Sequence, residues 1–514
     1  MMGVFGIVKI NLFLKNGKLL YSSPYPSFYV IVNLIQENGL RLKGESFMFI
    51  GELIRHHASY SADKTAVIYH DKRITYKQLM DKLAAYRLLL ASEAVRENWT
   101  DPLVVAIDLK RQDEQLYWFL AVTSLGWNGM LCHSSWDSSE REAMAERAQA
   151  VVFLTDRSEK EKSALPVWNM STLSPLKQAI RLPQAAGSAL FYTGFTSGST
   201  GVPKAFTRTH QSWTDSFADV VDVFKLKSSD CVSVPGQLVH SLFLFAAVHT
   251  LHLGATVCLE QQFEAKQTSK SLSRHGINVL YGVPTMVYAL AQEGNASSKL
   301  DKIIVSGAKW QRENRALVKR VFAEAQLFEF YGASELSFVS YNNHSLVDEQ
   351  LAGVGKLFPS VRVHVEEDGE LFVRSPFLFA GYVGEEPIGT SFSVGDLGRI
   401  DDANTLHVTG RKGNMLIIGG HNVYPEETED VVKELAFVEE AVAVGVPDTY
   451  WGTRMALYVQ ASVVPANAIS LIRSKVKEAL PPLKRPRKVY LVEQLPLLPS
   501  GKVDRQGLVG TANE

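Results

Sequence analysis

The chain has 514 residues, 46% of them apolar and 21% charged, with a net charge of −1 at neutral pH. That length exceeds what one hydrophobic core serves, so two or more domains are expected, with the composition of a globular protein. The balanced charge, free of any basic block, excludes the electrostatic footprint of a nucleic-acid binder, and no apolar run reaches the ~18–20 residues of a membrane-spanning helix.

Residues 1–47 are expected to be a leader outside the domains. Lys9, Asn11 and Lys15 interrupt the apolar stretches, and no small-residue cleavage site follows, so the segment does not read as a signal peptide. Lys43-Gly44-Glu45 can be encoded AAA-GGA-GAG, close to a bacterial ribosome-binding sequence, shortly before Met48. Met48 is therefore a candidate start; the alternative is a genuine N-terminal extension. From there an amphipathic helix (Ile50, Leu53, Ile54) and a hairpin, 66–69 against 73–76, open a domain expected to run to residue 410.

Within 48–410, β-branched runs at 103–107, 151–154 and 303–305 alternate with amphipathic segments such as 115–125 and 311–322. That alternation predicts α/β architecture with doubly wound, largely parallel sheets. Leu238 to Leu259 is apolar but carries His240, His249 and His252, and reads as a buried helix. His249 and His252 lack the neighbouring ligands a metal site needs. Cys132, Cys231 and Cys258 stand far apart without a CxxC, as reduced thiols of a cytoplasmic protein do. Residues 351–409 shift to strands and turns and predict a small β-rich subdomain. After Arg411 a new α+β unit, 411–514, is expected. Its helix starts near Pro425 with acids in the first turn, and a last helix at 469–480 ends in Pro481-Pro482.

The densest chemistry lies in Phe191-Tyr192-Thr193-Gly194-Phe195-Thr196-Ser197-Gly198-Ser199-Thr200-Gly201-Val202-Pro203-Lys204. Glycines let successive backbone N–H groups converge on an anion, hydroxyls add donors, and Lys204 adds charge, which suits a polyphosphate. The loop is not a Walker A motif. Pro203 pushes Val202 out of αR geometry, so Lys204 should leave on an extended segment rather than a helix. No G-x-S-x-G occurs in the loop, and Gly332-Ala333-Ser334-Glu335-Leu336 lacks the closing glycine of a serine-hydrolase elbow. Gly353-Val354-Gly355 runs on to Phe358, short of a dinucleotide fingerprint.

An ordered set of segments accompanies that loop: TSGSTGVPK (196–204), VSGAK (305–309), YGASE (331–335), GD (395–396), GRKGN (410–414), IGGHNVYP (418–425) and PSGK (499–502). Together they resemble the adenylate-forming superfamily of acyl-CoA synthetases, adenylation domains and firefly luciferase. The stretches at 283–286, 333–342 and 415–425 look most like bacterial fatty-acid–CoA ligases. The resemblance covers residues 48 to 505. It implies a large AMP-binding N-terminal domain with a small mobile C-terminal lid, and activation of an acid by ATP followed by transfer to coenzyme A.

The same resemblance assigns roles by position. Thr196, Ser197, Gly198, Ser199, Thr200, Gly201 and Lys204 would hold the phosphates. Glu335, with Thr196, would carry Mg²⁺, a cation satisfied by one or two carboxylates plus phosphate oxygens. Tyr331-Gly332 and Ser306-Gly307-Ala308 would form the adenine slot, with Ser334 where relatives usually have threonine. Asp396 would accept the ribose hydroxyls and Arg411 make a second ribose or phosphate contact. Lys502 would enter for adenylation, and His240 would guide the carboxylate. Gly413 stands at the hinge, where relatives usually carry Asp or Lys, and Gly420 matches the glycine bordering the pantetheine tunnel. Apolar neighbours of His240 (242–245) and Glu335 (336, 338, 339) point to a hydrophobic acid, fatty or aryl. Two alternatives stand beside this reading: transfer to the phosphopantetheine of an acyl carrier protein in trans, and a non-catalytic sensor of nucleotide or acyl chains. Retention of Lys204, Glu335, Asp396, Arg411 and Lys502 together argues against the sensor.

Overall fold

The structure, a computed structural model, describes residues 13–15, 18–20, 49–100, 102–157, 163–180, 182–183, 185–197, 203–294, 299–307, 310, 312–345, 353–418, 421–448, 452–497 and 503–512. The chain divides into two compact units, Met1–Phe47 and Met48–Glu514. In the first, Phe13–Lys15 pairs with Lys18–Leu20 as an antiparallel hairpin.

The second unit is built on a seven-stranded and an eleven-stranded sheet. Val104–Asp108, Asn128–Leu131, Val152–Thr155 and Val167–Asn169 form the parallel centre of the first. Leu190–Ser197 (β1) adds to it in parallel, and Pro203–Thr209 (β2) folds back antiparallel on β1. The middle of the central strand is apolar and covered on both faces: Val105, Ala106 and Ile107 are all fully buried. Helix Gln112–Ser124 is buried on nearly every side, a core helix rather than an amphipathic surface one. Helix Tyr76–Arg96 starts at a reciprocal cap. Gln78 N–H donates to Thr75 Oγ1 at 3.2 Å, and Thr75 N–H donates to Gln78 Oε1 at 2.9 Å.

The eleven-stranded sheet takes its parallel part from Thr65–Tyr69, Cys231–Val234, Thr256–Leu259, Val279–Gly282, Lys302–Val305 (β3) and Gln326–Ala333 (β4). Between two of these strands lies helix Ser241–His252 (α1), buried from Phe243 to Leu251, as the apolar run implied. Ser337–Asn343 (β5) returns antiparallel on β4.

The stretch expected as a β-rich subdomain is made of strands, several of which join the two large sheets. Gly381–Tyr382 (β6) pairs with β2 at the edge of the seven-stranded sheet. Gly355–Leu357, Asp396–Ile400 (β7) and Thr405–Arg411 (β8) extend the eleven-stranded one. Only Arg362–Val365 and Leu371–Arg374 pair as a sheet of their own. The physical reason lies in the open edges of the two sheets, whose unpaired N–H and C=O groups recruit the following strands. One apolar cluster therefore runs from Ile50 through Phe119, Trp213 and Phe338 to Phe379 and Leu406.

Beyond β8 the residues Lys412–Asn414 make a 3₁₀ turn, and Leu416–Ile418 (β9) pairs with His421–Val423 (β10). Helix Pro425–Lys433 (α2) has Pro at its start and Glu426 and Glu427 in its first turn, as read from the sequence. Glu440–Asp448, Gly452–Gln460 and Lys488–Val492 form a three-stranded sheet covered by helix Ala468–Ala479. Val432, Leu457, Ile472 and Val476 belong to the separate core of this part. Its last helix, Arg505–Ala512, is clamped where Arg505 makes paired hydrogen bonds of 2.6 and 2.9 Å to buried Glu429. Among the described residues, no helix is long and apolar enough to cross a membrane, and the three cysteines are free thiols.

Candidate active site

The phosphate loop is the connection of the β1–β2 hairpin. Thr196 lies opposite Lys204 in the register, and Lys204 sits on a strand, as Pro203 required. Residues 198–202 lie outside the described residues, and so does the side chain of Ser197. Lys204 is half exposed. Its Nζ donates to Glu385 Oε1 at 3.1 Å and lies 4.8 Å from the ring centroid of Tyr382. Tyr382 stands on β6, directly opposite Phe206 of β2. Its hydroxyl donates to Glu335 Oε1 at 2.9 Å. Burial, then the charge of Glu335, pushes the Tyr382 phenol well up, so it stays a proton donor.

Glu335 is 7% exposed in the turn between β4 and β5. The turn is fixed from behind. Arg208, four residues after Lys204 on the same face of β2, is fully buried, and its guanidinium donates twice to Ser334 O, at 3.1 and 2.6 Å. It also donates to Phe377 O at 2.8 Å, while Phe379 N–H holds Glu335 O at 2.9 Å. Burial lowers the Arg208 pKa to about 10, a fall that Glu335 opposes. Gly332 is required by close approach: a Cβ there would lie 1.9 Å from Ser337 O.

The end of β4 carries Tyr331, whose hydroxyl donates to Asp396 Oδ2. The other carboxylate oxygen accepts from Arg411 Nε at 2.7 Å, because Asp396 and Arg411 are register partners on β7 and β8. Burial and then the Asp396 charge push the Tyr331 phenol far up, so it too remains protonated. Ser306, at the end of β3, donates to Phe330 O at 2.9 Å, and Gly307 follows with φ +96°, a conformation glycine tolerates. Ala308 lies outside the described residues.

His240 is the residue before α1. The protein around its ring, then His133 with a centroid 5.8 Å away, pushes its pKa down to about 4, although its outer edge is exposed. Ser241, next along, has its hydroxyl 3.3 Å from Tyr192 OH and 3.4 Å from Ser334 Oγ. His249 is buried and His252 partly buried, both against the Phe217 ring, and no group of three potential metal ligands occurs among the described residues.

Gly413 occupies the 3₁₀ turn with a negative φ. Lys412 before it donates to Asp368 Oδ2 at 3.0 Å and Glu370 Oε2 at 2.7 Å, and its N–H to Gly395 O at 2.7 Å. Asn414 after it donates to Glu426 Oε1 at 2.6 Å. Gly420 and Lys502 lie outside the described residues.

Most of the described candidates fall into three local groups. Lys204, opposite Thr196 in the register, is joined to Glu335 through Tyr382, and Ser334 meets Ser241 beside His240. Tyr331 joins Asp396 and Arg411. Sequence reasoning missed Tyr382, Glu385, Arg208 and Tyr192. Arg208 had a signal, since strand alternation places it on the face of Lys204; Tyr382 and Glu385 lie 47 and 50 positions beyond Glu335 with no motif reading to connect them.

The family model of the AMP-binding enzyme matches residues 54–383, and that of the AMP-binding enzyme C-terminal domain matches 427–502. The chain is 34% identical over 466 residues to an uncharacterized acyl–CoA ligase, YhfT, of Bacillus subtilis, covering 87% of this chain and 95% of that one. It is 28% identical to the putative long chain fatty acid-CoA ligase VraA of Staphylococcus aureus, covering 89% and 97%. The fold is that of o-succinylbenzoate coenzyme A synthetase (MenE) from Bacillus subtilis, solved in complex with ATP and magnesium ion (TM-score 0.79, 24% identity, 90% and 100% coverage). It is also that of the amide bond synthetase McbA from Marinactinospora thermotolerans (TM-score 0.76, 21% identity, 90% and 99% coverage). The chain belongs to the AMP-binding enzymes, the adenylate-forming superfamily, and stands within it as an AMP-forming acid–thiol ligase.

Proposed function

We propose that this enzyme activates a hydrophobic carboxylic acid, a fatty acid first of all, to an acyl-adenylate and then transfers the acyl group to coenzyme A. The observation that carries the reading is that motif residues far apart in the sequence are paired side chain to side chain. Tyr382 joins Lys204 of the phosphate hairpin to Glu335, 131 positions away, and Tyr331 and Arg411, 80 positions apart, hold the two oxygens of Asp396.

The residues fit an ATP molecule with its magnesium ion. One buried carboxylate, Glu335, keeps Oε2 free of hydrogen bonds among the described residues. A donor set that small matches Mg²⁺, which takes its remaining ligands from phosphates and water. When bound, the ion neutralises charge on the phosphate oxygens. The hydroxyls and backbone of 196–201, with Lys204, would hold the β- and γ-phosphates. Tyr331 with 306–308 would hold adenine, and Asp396 with Arg411 the ribose, Asp396 keeping lone pairs free on both oxygens. The acid's carboxylate oxygen attacks the α-phosphorus, forming the acyl–O–P bond as the bond to pyrophosphate breaks. Catalysis is then mainly positioning and charge stabilisation, with Lys502 as the entering cation. In the second half-reaction a thiolate attacks the acyl carbonyl and AMP leaves, the thiol arriving past Gly420 after rotation about Gly413.

The apolar surroundings of His240 support a hydrophobic acid. Phe243 packs so closely that a Cβ on Gly236 would lie 2.0 Å from its ring, and Phe245 and Phe338 meet edge to face with centroids 4.8 Å apart. The relatives are named for a long-chain fatty acid and, in a 26% identical ligase of Bacillus subtilis, for 2-succinylbenzoate. The neutral His240 would guide the carboxylate by hydrogen bonding rather than by charge. ATP–pyrophosphate exchange against a panel of fatty, aryl and short acids, repeated with CoA, tests the proposal. Exchange with fatty acids and CoA-dependent release of AMP and thioester is the expected result. Exchange without thioester would transfer the second step to a carrier protein, and no exchange with any acid would refute the reading.

A further inference from the structure

Glu335 and Lys204 lie 131 positions apart, yet one side chain touches both. The Tyr382 hydroxyl donates to Glu335 Oε1 at 2.9 Å, while its ring carries the Lys204 ammonium 4.8 Å from the centroid. Tyr382 is itself fixed by the pairing of β6 with β2, the strand bearing Lys204. The ammonium is additionally held by Glu385, three residues beyond Tyr382, at 3.1 Å, with both partners half exposed.

We propose that Tyr382 is a positioning residue that sets the spacing between the metal carboxylate Glu335 and the phosphate lysine Lys204, and that Glu385 holds that lysine until a triphosphate displaces it. The inference rests on the reading above, in which Glu335 faces the metal and Lys204 the phosphates. The hydrogen bond occupies Oε1 and so presents Oε2 to the cation, a partner role of the kind that typically fixes first-sphere ligands. The aromatic face favours a cation without fixing its direction, so Lys204 can swing from Glu385 to phosphate while keeping its contact with the ring. The exposed Lys204–Glu385 pair is weak enough to break on nucleotide binding.

The test uses the full chain and a non-hydrolysable ATP analogue. Mn²⁺ binding to the enzyme–analogue complex is read by electron paramagnetic resonance, and analogue binding without metal by calorimetry. Tyr382→Phe, which keeps the ring and removes the hydroxyl, should weaken Mn²⁺ binding ~10-fold or more while metal-free analogue binding changes less than ~3-fold. Tyr382→Leu should weaken both. Glu385→Gln should tighten metal-free analogue binding about 2–5-fold, the scale of an exposed ion pair. Unchanged Mn²⁺ affinity in Tyr382→Phe overturns the positioning role, and unchanged or weaker analogue binding in Glu385→Gln overturns the holding contact. Glu335→Gln separates the two levels. If it leaves Mn²⁺ affinity intact, the assignment of Glu335 to the metal fails; if it abolishes binding while Tyr382→Phe binds normally, only the inference fails.

Discussion

Gly332→Ala is expected to damage both fold and catalysis through a single methyl group. The added Cβ would lie 1.9 Å from Ser337 O and 3.0 Å from Ser337 C, both backbone atoms that no rotamer can move aside. An ordinary contact would require that carbonyl to withdraw by more than 1 Å. The turn has little room to give. Ser337 already sits at φ +59°, Leu336 N–H is bonded to Ala333 O, and Arg208 and Phe379 hold the backbone of Ser334 and Glu335. The strain therefore passes to Tyr331 on one side and Glu335 on the other. Overpacking of this kind costs about 1–3 kcal/mol of stability, and a misplacement of ~1 Å in a positioning segment costs ~10²-fold in rate. Urea unfolding and ATP–pyrophosphate exchange read the two effects, with Gly389→Ala, whose Cβ meets nothing within 4 Å, as the reference. Exchange and stability in Gly332→Ala both equal to that reference would refute the argument.

Other perturbations test other parts. Lys502→Ala should lose adenylation by ~10²–10³-fold, the scale for removing a charge that stabilises a transition state, while thioester formation from supplied acyl-adenylate persists; normal exchange would contradict the assignment. Arg208→Met should lower stability by about 2–4 kcal/mol, because two carbonyls lose their donors in the interior, and should slow exchange; an unchanged urea midpoint would count against that. Burial raises the pKa of Glu260, whose Oε1 lacks a partner, to about 7. A raised folded value favours the fold below the unfolded value of 4.5 and loses that contribution as pH climbs through 7, about 3 kcal/mol across the window. Glu260→Gln should therefore be more stable than the parent at pH 8.5 and lose more than half of that advantage by pH 5.5; an equal difference at both pH values in urea titrations would disprove the linkage.

Much of the fold was legible because its causes are local. Continuous apolar runs such as 103–107 and 303–305 announced buried parallel strands, and Pro425 followed by two glutamates announced α2. Pro203 alone was enough to put Lys204 on a strand, since the residue before a proline avoids the helical region. What escaped was decided by pairing across long separations. Residues 351–409 read as a β-rich subdomain because their texture was strands and turns with little helix. Which sheet edge each strand would join depends on edges formed by residues far earlier in the chain. The same holds at the site: Tyr331 and Asp396 were each visible in a motif, but the hydrogen bond between them depends on both strands joining one eleven-stranded sheet. Tyr382 carries no motif reading at all, and only its pairing with Phe206 reveals it.

The turn at Lys412–Asn414 bears on motion in the manner of a lever. Lys412 is tied backward to Asp368, Glu370 and Gly395, and Asn414 forward to Glu426, leaving Gly413 as the untethered link of the three among the described residues. At its negative φ any residue would fit the present conformation, so the tolerance of glycine counts only in another one. If the C-terminal part turns here, a small torsion at the fulcrum becomes a wide arc at its far end. A joint that short transmits reach but no aim. Accuracy of arrival would then come from contacts across the joint, of the kind Gly410 makes with Tyr424 and Glu426 in the present conformation. Side chains introduced at Gly413 would change how readily the arm moves far more than where it comes to rest.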